Sequence, residues 1–257
     1  MKAKELGGLG AVFIVAAFLS SLIVQPANAD QDQLWMIVSF KCMRHLAKSE
    51  APIPCDAIDT SLGWDRGVAL LKDRVGVARM LAIPTHLVSG IEDPAVLADG
   101  EPNYFAVAWS DQYAFPMRLH AMPPSGAVAV VVDSKEARQH EQLHLIVDCL
   151  DQDVAAALAK DAATVSTEWR QMSVSLKGRT YWARRVEAAK PEDIWPFHLL
   201  ADALPGAKDD MADWSLALVQ PAPLNGGAFL LLADRADGEQ GGRPRDLLDP
   251  ACGVARR

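Results

Sequence analysis

Residues 133–150 read DSKEARQHEQLHLIVDCL, and this stretch can fold in two incompatible ways. As a helix, residues 140–144 spell H-E-x-x-H, in which His140 and His144 bind zinc and Glu141 acts as the general base. The residues before the motif are mostly good helix formers, so local propensity permits this interpretation. It predicts a zinc protease.

The same stretch alternates as a strand from Gln142 to Leu150. Its two faces would be Leu143, Leu145, Val147 and Cys149 on one side, and Gln142, His144, Ile146 and Asp148 on the other. Residues 127–132 read AVAVVV and predict a buried strand. This strand leaves little room before a long helix, and no G-x-x-H continuation follows His144. We therefore favour a hairpin through residues 133–141.

On the half-polar face of such a strand, His144 is a workable nucleophile toward phosphorus. Its Nε2 can attack if a backbone carbonyl holds the Nδ1 proton, because this hydrogen bond fixes the tautomer. The alternative is a buried histidine with a purely structural role. In the strand interpretation His140 belongs to the hairpin, and we expect it to lie in a different setting from His144.

The remaining patterns predict an α+β protein with an antiparallel sheet and flanking helices. The predicted strands are residues 68–72, 77–83, 127–132, 142–150, 179–186, 214–219 and 228–232. The predicted helices are residues 31–48, 103–112, 151–169 and 194–204. A loose strand–strand–helix–strand rhythm also suggests two similar halves of one domain, 30–165 and 166–257.

Residues 1–29 predict a signal peptide, with an uncleaved membrane anchor as the alternative. Lys2 and Lys4 precede an apolar run over residues 9–24, and residues 27–29 supply an A-x-A cleavage pattern. Removing this segment, with two lysines and one glutamate, moves the formal charge from −8 to −9. A chain this acidic, without a basic cluster, is not expected to bind nucleic acid.

The four cysteines, Cys42, Cys55, Cys149 and Cys252, form an even set in a chain that we expect to be exported. Two disulfides are therefore predicted. Three pairings are possible. In one of them Cys42–Cys55 closes a short proline-containing loop and Cys149–Cys252 ties the C-terminus to the central segment. Cys42-x-x-His45 has no second pair, so we predict neither a metal nor another cofactor.

Several short stretches, in one order from about Cys42 to Cys252, resemble a known family. This family is the CDP-diacylglycerol pyrophosphatases, relatives of the histidine-triad nucleotide hydrolases. The stretches are GVALLKD (67–73), LAIPT (81–85), GIEDP (90–94), PNYF (102–105) with Ala108-Trp109, the central Ser134…Arg138…Gln142-Leu-His144 through Asp148-Cys149, GRTY (178–181), ARRV (183–186), Pro196-Phe197, LLAD (199–202) and DLLD (246–249).

The resemblance implies a histidine-triad-like fold and hydrolysis of CDP-diacylglycerol to CMP and phosphatidate. It places the chain in the periplasm or at the outer face of the bacterial inner membrane, with a nucleotide-lipid and the membrane surface as partners. By the resemblance, His144 is the nucleophile. Four residues are candidate ligands of the substrate phosphates: Gln142, Arg138, Lys72 and Ser134.

One position departs from the family pattern. Two residues after His144 the pattern has a histidine, where this chain has Ile146. Isoleucine can neither donate a hydrogen bond nor carry charge, and the loss of one such donor typically costs about 10²–10³ in kcat. A catalytically weakened homologue that binds a nucleotide or phospholipid is therefore the alternative function, ahead of the zinc protease.

Overall fold

The computed structural model describes residues 32–49, 51–224, 226–237 and 241–255. These residues form one nine-stranded antiparallel sheet with several helices, which confirms the predicted α+β class. The strands are β1 Ala57–Asp59, β2 Val68–Lys72, β3 Met80–Pro84, β4 Val128–Val132, β5 Leu145–Cys149, β6 Arg170–Gln171, β7 Trp182–Glu187, β8 Trp214–Val219 and β9 Ala228–Arg235. Their order across the sheet is β1-β2-β3-β5-β4-β8-β9-β7-β6.

Strands β4 and β5 form the hairpin that the alternation of residues 142–150 predicts. Val131 pairs with Ile146, and Val128 pairs with Cys149. Leu143, Leu145, Val147 and Cys149 join one apolar core, whereas Ile146 joins another. Since each core packs on one face of the sheet, the central strands are buried on both faces and read as nearly continuous apolar runs.

The helix interpretation of the H-E-x-x-H motif is wrong. Residues 133–144 contain turns, bends and irregular backbone but no helix. The residues on either side gain sheet hydrogen bonds and burial on both faces, and a helix across the segment could not provide these. Without the helical spacing of the two histidines, the zinc-protease prediction has no structural basis.

The four predicted helices lie near their predicted positions but are shorter, and a further helix, Phe115–Leu119, was not predicted. The helices are α1 Gln33–Ile37, continued by a π-helical turn Val38–Cys42 and α2 Met43–Ser49, then α3 Tyr104–Ser110, α4 Phe115–Leu119, α5 Gln152–Asp161 and α6 Pro196–Ala203. The predicted helix 151–169 is wrong in its second half. After α5 and one 3-10 turn the chain becomes extended at Val165, within a Thr-Val-Ser-Thr stretch whose side chains disfavour helix.

Two disulfides are present, as predicted, and they pair Cys42 with Cys55 and Cys149 with Cys252. The second bridge fixes the C-terminal region beside the end of β5. There the Asp249 amide donates to the Cys149 carbonyl at 2.8 Å.

The strands before and after residue 165 form the two lateral halves of the sheet. One half contains β1 to β5 and the other contains β6 to β9, and the two halves meet where β4 pairs with β8. Both apolar cores contain residues of both halves. The similarity of the two halves, and their likeness to histidine-triad proteins, stay predictions.

The predicted signal peptide or anchor, residues 1–29, lies outside the described residues. Among the described residues, no helix has the length and apolar character needed to cross a bilayer.

Candidate active site

Polar side chains gather in one row at one end of the sheet. Ser215 on β8 pairs with Asp234 on β9, and extending the neighbouring registers brings three more positions into this row. We call it the polar row: His144, Asp133, Ser215, Asp234 and Tyr181, in that order from β5 to β7. All five side chains are buried. Directly opposite residues share a face of the sheet, so the five side chains lie on the same face. Burying so many polar groups costs free energy unless they form hydrogen bonds or ion pairs, or take part in binding or catalysis.

His144 lies immediately before β5, with Nδ1 2.9 Å from the carbonyl oxygen of Gln142. Because a carbonyl oxygen only accepts, Nδ1 carries the proton and Nε2 keeps its lone pair. Burial lowers the pKa of His144 to about 4, and the hydrogen bond to Gln142 partly opposes this shift. The ring is therefore neutral at pH 7. Its Nε2 makes no hydrogen bond to a described residue.

We expect the His144 ring to stay neutral, as the Nδ1–H tautomer, down to about pH 5. The reason is that burial holds the pKa of His144 near 4 instead of 6.5. Nitrogen NMR of a histidine-labelled sample distinguishes the two neutral tautomers from the imidazolium. The exposed His45 serves as the reference in the same spectra. A His144 titration centred near pH 6.5, or an Nε2–H tautomer, would contradict this assignment.

Residues 241–247, which we call the covering segment, cross the polar row. A Cβ atom at Gly242 would lie 2.7 Å from both the Asp234 carbonyl oxygen and the Ser215 hydroxyl, so this close approach requires glycine. The Gly242 carbonyl accepts a hydrogen bond from the Ser134 amide at 3.1 Å. The covering segment is thus packed directly against the ends of β4, β8 and β9.

The covering segment brings the guanidinium of Arg245 close to His144. Its Nε lies 3.0 Å from Asp133 Oδ2, and its charge contributes to the lowered pKa of His144. Burial raises the pKa of Asp133 to about 6, and the charge of Arg245 opposes this rise. The terminal Nη atoms of Arg245 donate to no described residue. They are therefore available to phosphate oxygens, which a guanidinium binds as a fork.

A second imidazole stands beside His144. The ring centroids of His140 and His144 are 5.4 Å apart, with the rings nearly perpendicular. Nδ1 of His140 lies 3.2 Å from Asp32 Oδ2. The two histidines differ in setting, as predicted, since His140 lies in the hairpin and is partly exposed whereas His144 is buried before β5, but the contact between their rings was not predicted.

Gln142 is engaged entirely with backbone groups. Its Nε2 donates to the carbonyl oxygens of Pro84 and His86 at 3.2 and 2.8 Å, and its Oε1 accepts from the Val88 amide at 3.4 Å. These bonds join the loop after β3 to the residue whose carbonyl holds His144. The predicted substrate contact of Gln142 stays a prediction, and its bonds favour a positioning role.

Arg138 is also engaged within the protein. Its Nη1 contacts both carboxylate oxygens of Glu92, at 2.6 and 2.7 Å, and its Nη2 bonds to Glu141. Both of its terminal nitrogens thus bond to carboxylates, whereas its Nε is buried without a partner among the described residues. Ser134 differs, since its hydroxyl is buried and has no partner among the described residues. It lies against the covering segment, near Asp133.

The structure does not bring Lys72 to His144. Lys72 lies opposite Met80, which in turn lies opposite Val147, three residues along β5 from His144. This is about 10 Å along the sheet, in addition to two strand spacings of about 5 Å each. Its Nζ donates to the Asp73 and Gly76 carbonyls at 2.6 and 3.0 Å, and so closes the β2–β3 turn. A phosphate contact of Lys72 stays a prediction that its position does not support.

Ile146, which stands where the family pattern has a histidine, is an apolar residue in apolar surroundings. Ile146 is 4% exposed and lies in an apolar core, between Leu81 and Val131 on the adjacent strands. It can offer a phosphate neither a proton nor a charge. In the described part of the chain, no group of three His, Cys, Asp or Glu residues is arranged to hold a metal ion.

Arg245, Asp133 and Asp32 were not among the site residues predicted from the sequence. Residues 241–245 read GGRPR, and two glycines before two arginines indicate a backbone that approaches another element closely and carries cations. Asp133 was visible as a carboxylate directly after a buried strand. Asp32 gave no signal, since its partner lies 108 residues away.

The end of the sheet therefore holds a neutral imidazole, a guanidinium and a second histidine, as expected of a hydrolase that acts on phosphorus. The family model described as CDP-diacylglycerol pyrophosphatase matches residues 29–256. A CDP-diacylglycerol pyrophosphatase from Yersinia pestis is 35% identical over 245 residues, covering 95% of this chain and 92% of that protein. The chain belongs to the CDP-diacylglycerol pyrophosphatase family.

Proposed function

We propose that the chain hydrolyses CDP-diacylglycerol to CMP and phosphatidate with His144 as the nucleophile. The observation that carries the proposal is the 2.9 Å contact between His144 Nδ1 and the Gln142 carbonyl, in a site that keeps the ring neutral. A neutral imidazole with a fixed Nδ1 proton presents the Nε2 lone pair to an electrophile. Family membership supports the substrate.

The reaction divides into two displacements at one phosphorus. His144 Nε2 attacks in line and expels the other phosphate group, and water then attacks the phosphorus–nitrogen adduct and frees the ring. The negative charge on the phosphate oxygens must be held throughout. Arg245 is the cation best placed for this, and the hydroxyl of Ser134 can add a hydrogen bond.

We expect Arg245→Gln to lower kcat/KM for CDP-diacylglycerol by about 10²–10³, the cost of losing one oxyanion donor. The exposed Arg243 provides a matched control in the same covering segment. Arg243→Gln removes the same charge two residues away and should stay within a few-fold of wild type. Steady-state release of CMP measures both variants. Equal losses in the two variants would show that Arg245 acts only through the net charge of the segment.

Export is the second part of the proposal. Two disulfides within the described residues favour an oxidising compartment, and residues 1–29 have the pattern of a signal peptide. A location in the periplasm or at the outer face of the inner membrane accommodates both features. Expression of the full chain followed by N-terminal sequencing of the processed protein tests cleavage after Ala29.

Contact with the membrane surface is the third part. Leu62, Trp64 and Leu87 are each about half exposed. The Trp64 carbonyl accepts a hydrogen bond from the hydroxyl of Thr85 at 2.9 Å, and Thr85 lies two residues before Leu87 in the chain. These apolar side chains therefore flank the loop that Gln142 holds. A lipid substrate presented from a bilayer would meet this surface beside the candidate site.

The alternative of a weakened binding homologue is favoured by one observation, the buried and apolar Ile146. One assay separates it from the enzyme: CMP release from CDP-diacylglycerol by purified protein, with and without a chelator. Turnover that survives the chelator supports the histidine mechanism. No release of CMP, together with retained binding of CDP-diacylglycerol, would support the binder.

A further inference from the structure

His140 lies beside His144, and the two-step reaction described above gives His140 no role. The two rings meet edge to face with centroids 5.4 Å apart. His144 is buried, whereas the His140 side chain is 28% exposed. The second ring is therefore partly open to solvent and lies directly beside the proposed nucleophile.

Asp32 holds His140 in a defined orientation. Its Oδ2 lies 3.2 Å from His140 Nδ1 and also accepts from the Glu141 amide at 2.9 Å, while its Oδ1 accepts from the Leu34 amide at 2.7 Å. The carboxylate is thus fixed by the start of α1 and by the hairpin. With Nδ1 bonded to a carboxylate, Nε2 is the atom of His140 that can exchange a proton.

A proton donor at this point assists the departure of the leaving group. When the bond from phosphorus to the bridging oxygen breaks, negative charge develops on that oxygen. His144 cannot supply the proton, because its Nδ1–H is directed at the Gln142 carbonyl and its Nε2 forms the new bond. Ile146, the next residue on the same face of β5, has no proton to give.

We propose that His140, oriented by Asp32, is the acid–base catalyst of this reaction, an inference that rests on His144 as the nucleophile. In the first step His144 Nε2 bonds to phosphorus. The bond from phosphorus to the bridging oxygen breaks, the electron pair stays on that oxygen, and the oxygen takes the Nε2 proton of the His140 imidazolium. In the second step water attacks the same phosphorus and gives its proton to His140. The phosphorus–nitrogen bond breaks, and its electrons return to His144.

The test is a rapid-quench measurement of the first turnover with radiolabelled CDP-diacylglycerol. We expect His140→Ala to slow the labelling of His144 by about 10²–10⁴, the usual contribution of general acid catalysis. Added imidazole should restore part of the lost rate, in proportion to its protonated fraction, because the His140 position is open to solvent. His140→Gln, which keeps a polar side chain of similar reach, should show the same loss. Exposed His45→Ala is the matched control.

The outcomes distinguish this inference from the function on which it rests. Labelling of His144 at the wild-type rate in His140→Ala would overturn the role of His140 and leave His144 as the nucleophile. A slowed rate that imidazole does not restore would also overturn it, since a structural role then accounts for the loss. Turnover in wild type without any label on His144 would instead overturn the nucleophile assignment.

Discussion

Replacing His144 with alanine is expected to lower the rate of CMP release from CDP-diacylglycerol by about 10⁴–10⁶, the range seen when a covalent nucleophile is removed. The loss should appear in kcat, because alanine removes the atom that bonds to phosphorus and few of the groups that bind the substrate. Steady-state CMP release at pH 7, where the wild-type ring is neutral, measures the effect.

Two controls accompany His144→Ala. His45→Ala removes an exposed imidazole from α2 and should leave the rate unchanged. The unfolding midpoint of His144→Ala in urea shows whether the variant is folded. A folded His144→Ala protein that keeps more than about a tenth of wild-type activity would refute the covalent mechanism.

Removing the Cys149–Cys252 disulfide, by changing both residues to alanine, should lower the free energy of unfolding by about 4–5 kcal/mol. The bridge closes a loop with a sequence separation of 103, and the cost of removing a cross-link grows with the loop it closes. The covering segment also loses its anchor, so the folded variant should lose activity as Arg245 becomes less well positioned. Urea unfolding and CMP release measure the two effects.

The other disulfide is the matched comparison. Cys42–Cys55 has a sequence separation of 13, so replacing both cysteines with alanine should cost about 3 kcal/mol. This bridge lies far in sequence from the covering segment, and we expect the folded variant to keep most of its activity. Equal losses of activity in the two double variants would show that the C-terminal anchor has no special role at the site.

The central hairpin could be predicted because its signals are local. Alternation over residues 142–150, an apolar run over 127–132 and the Pro-Pro-Ser-Gly turn before it all act within a few residues of one another. Helix ends were less accurate, as at α5, where periodicity continues past the residue at which the backbone turns extended. The short strands β1 and β6 were missed because two or three residues carry no period.

The polar row could not be predicted, because it depends on which strands pair. Asp133 and His144 share a hairpin, but Ser215 and Asp234 reach the same row only through the pairing of β4 with β8. The partners of charged residues were equally hidden. Sequence alone identifies Arg138 as a cation but not the two carboxylates that it contacts, and nothing local connects Asp32 with His140.

The resemblance to the family, by contrast, pointed to His144 as the proposed nucleophile without any knowledge of the sheet, because it rests on residue identities in order along the chain. The comparisons confirm the family over residues 29–256. The structure then adds the environment that a nucleophile needs, namely a bonded Nδ1 and a neutral ring.

The most direct test of the central claim is to find the covalent adduct itself. Wild-type protein is mixed with CDP-diacylglycerol, quenched within the first turnover, digested and analysed by mass spectrometry. We expect a phosphorus–nitrogen adduct on the peptide that carries His144, with a mass that identifies it as cytidylyl or phosphatidyl and so reveals which phosphorus is attacked. Release of CMP in the first turnover with no adduct on His144, or with the adduct on another residue, would contradict the mechanism.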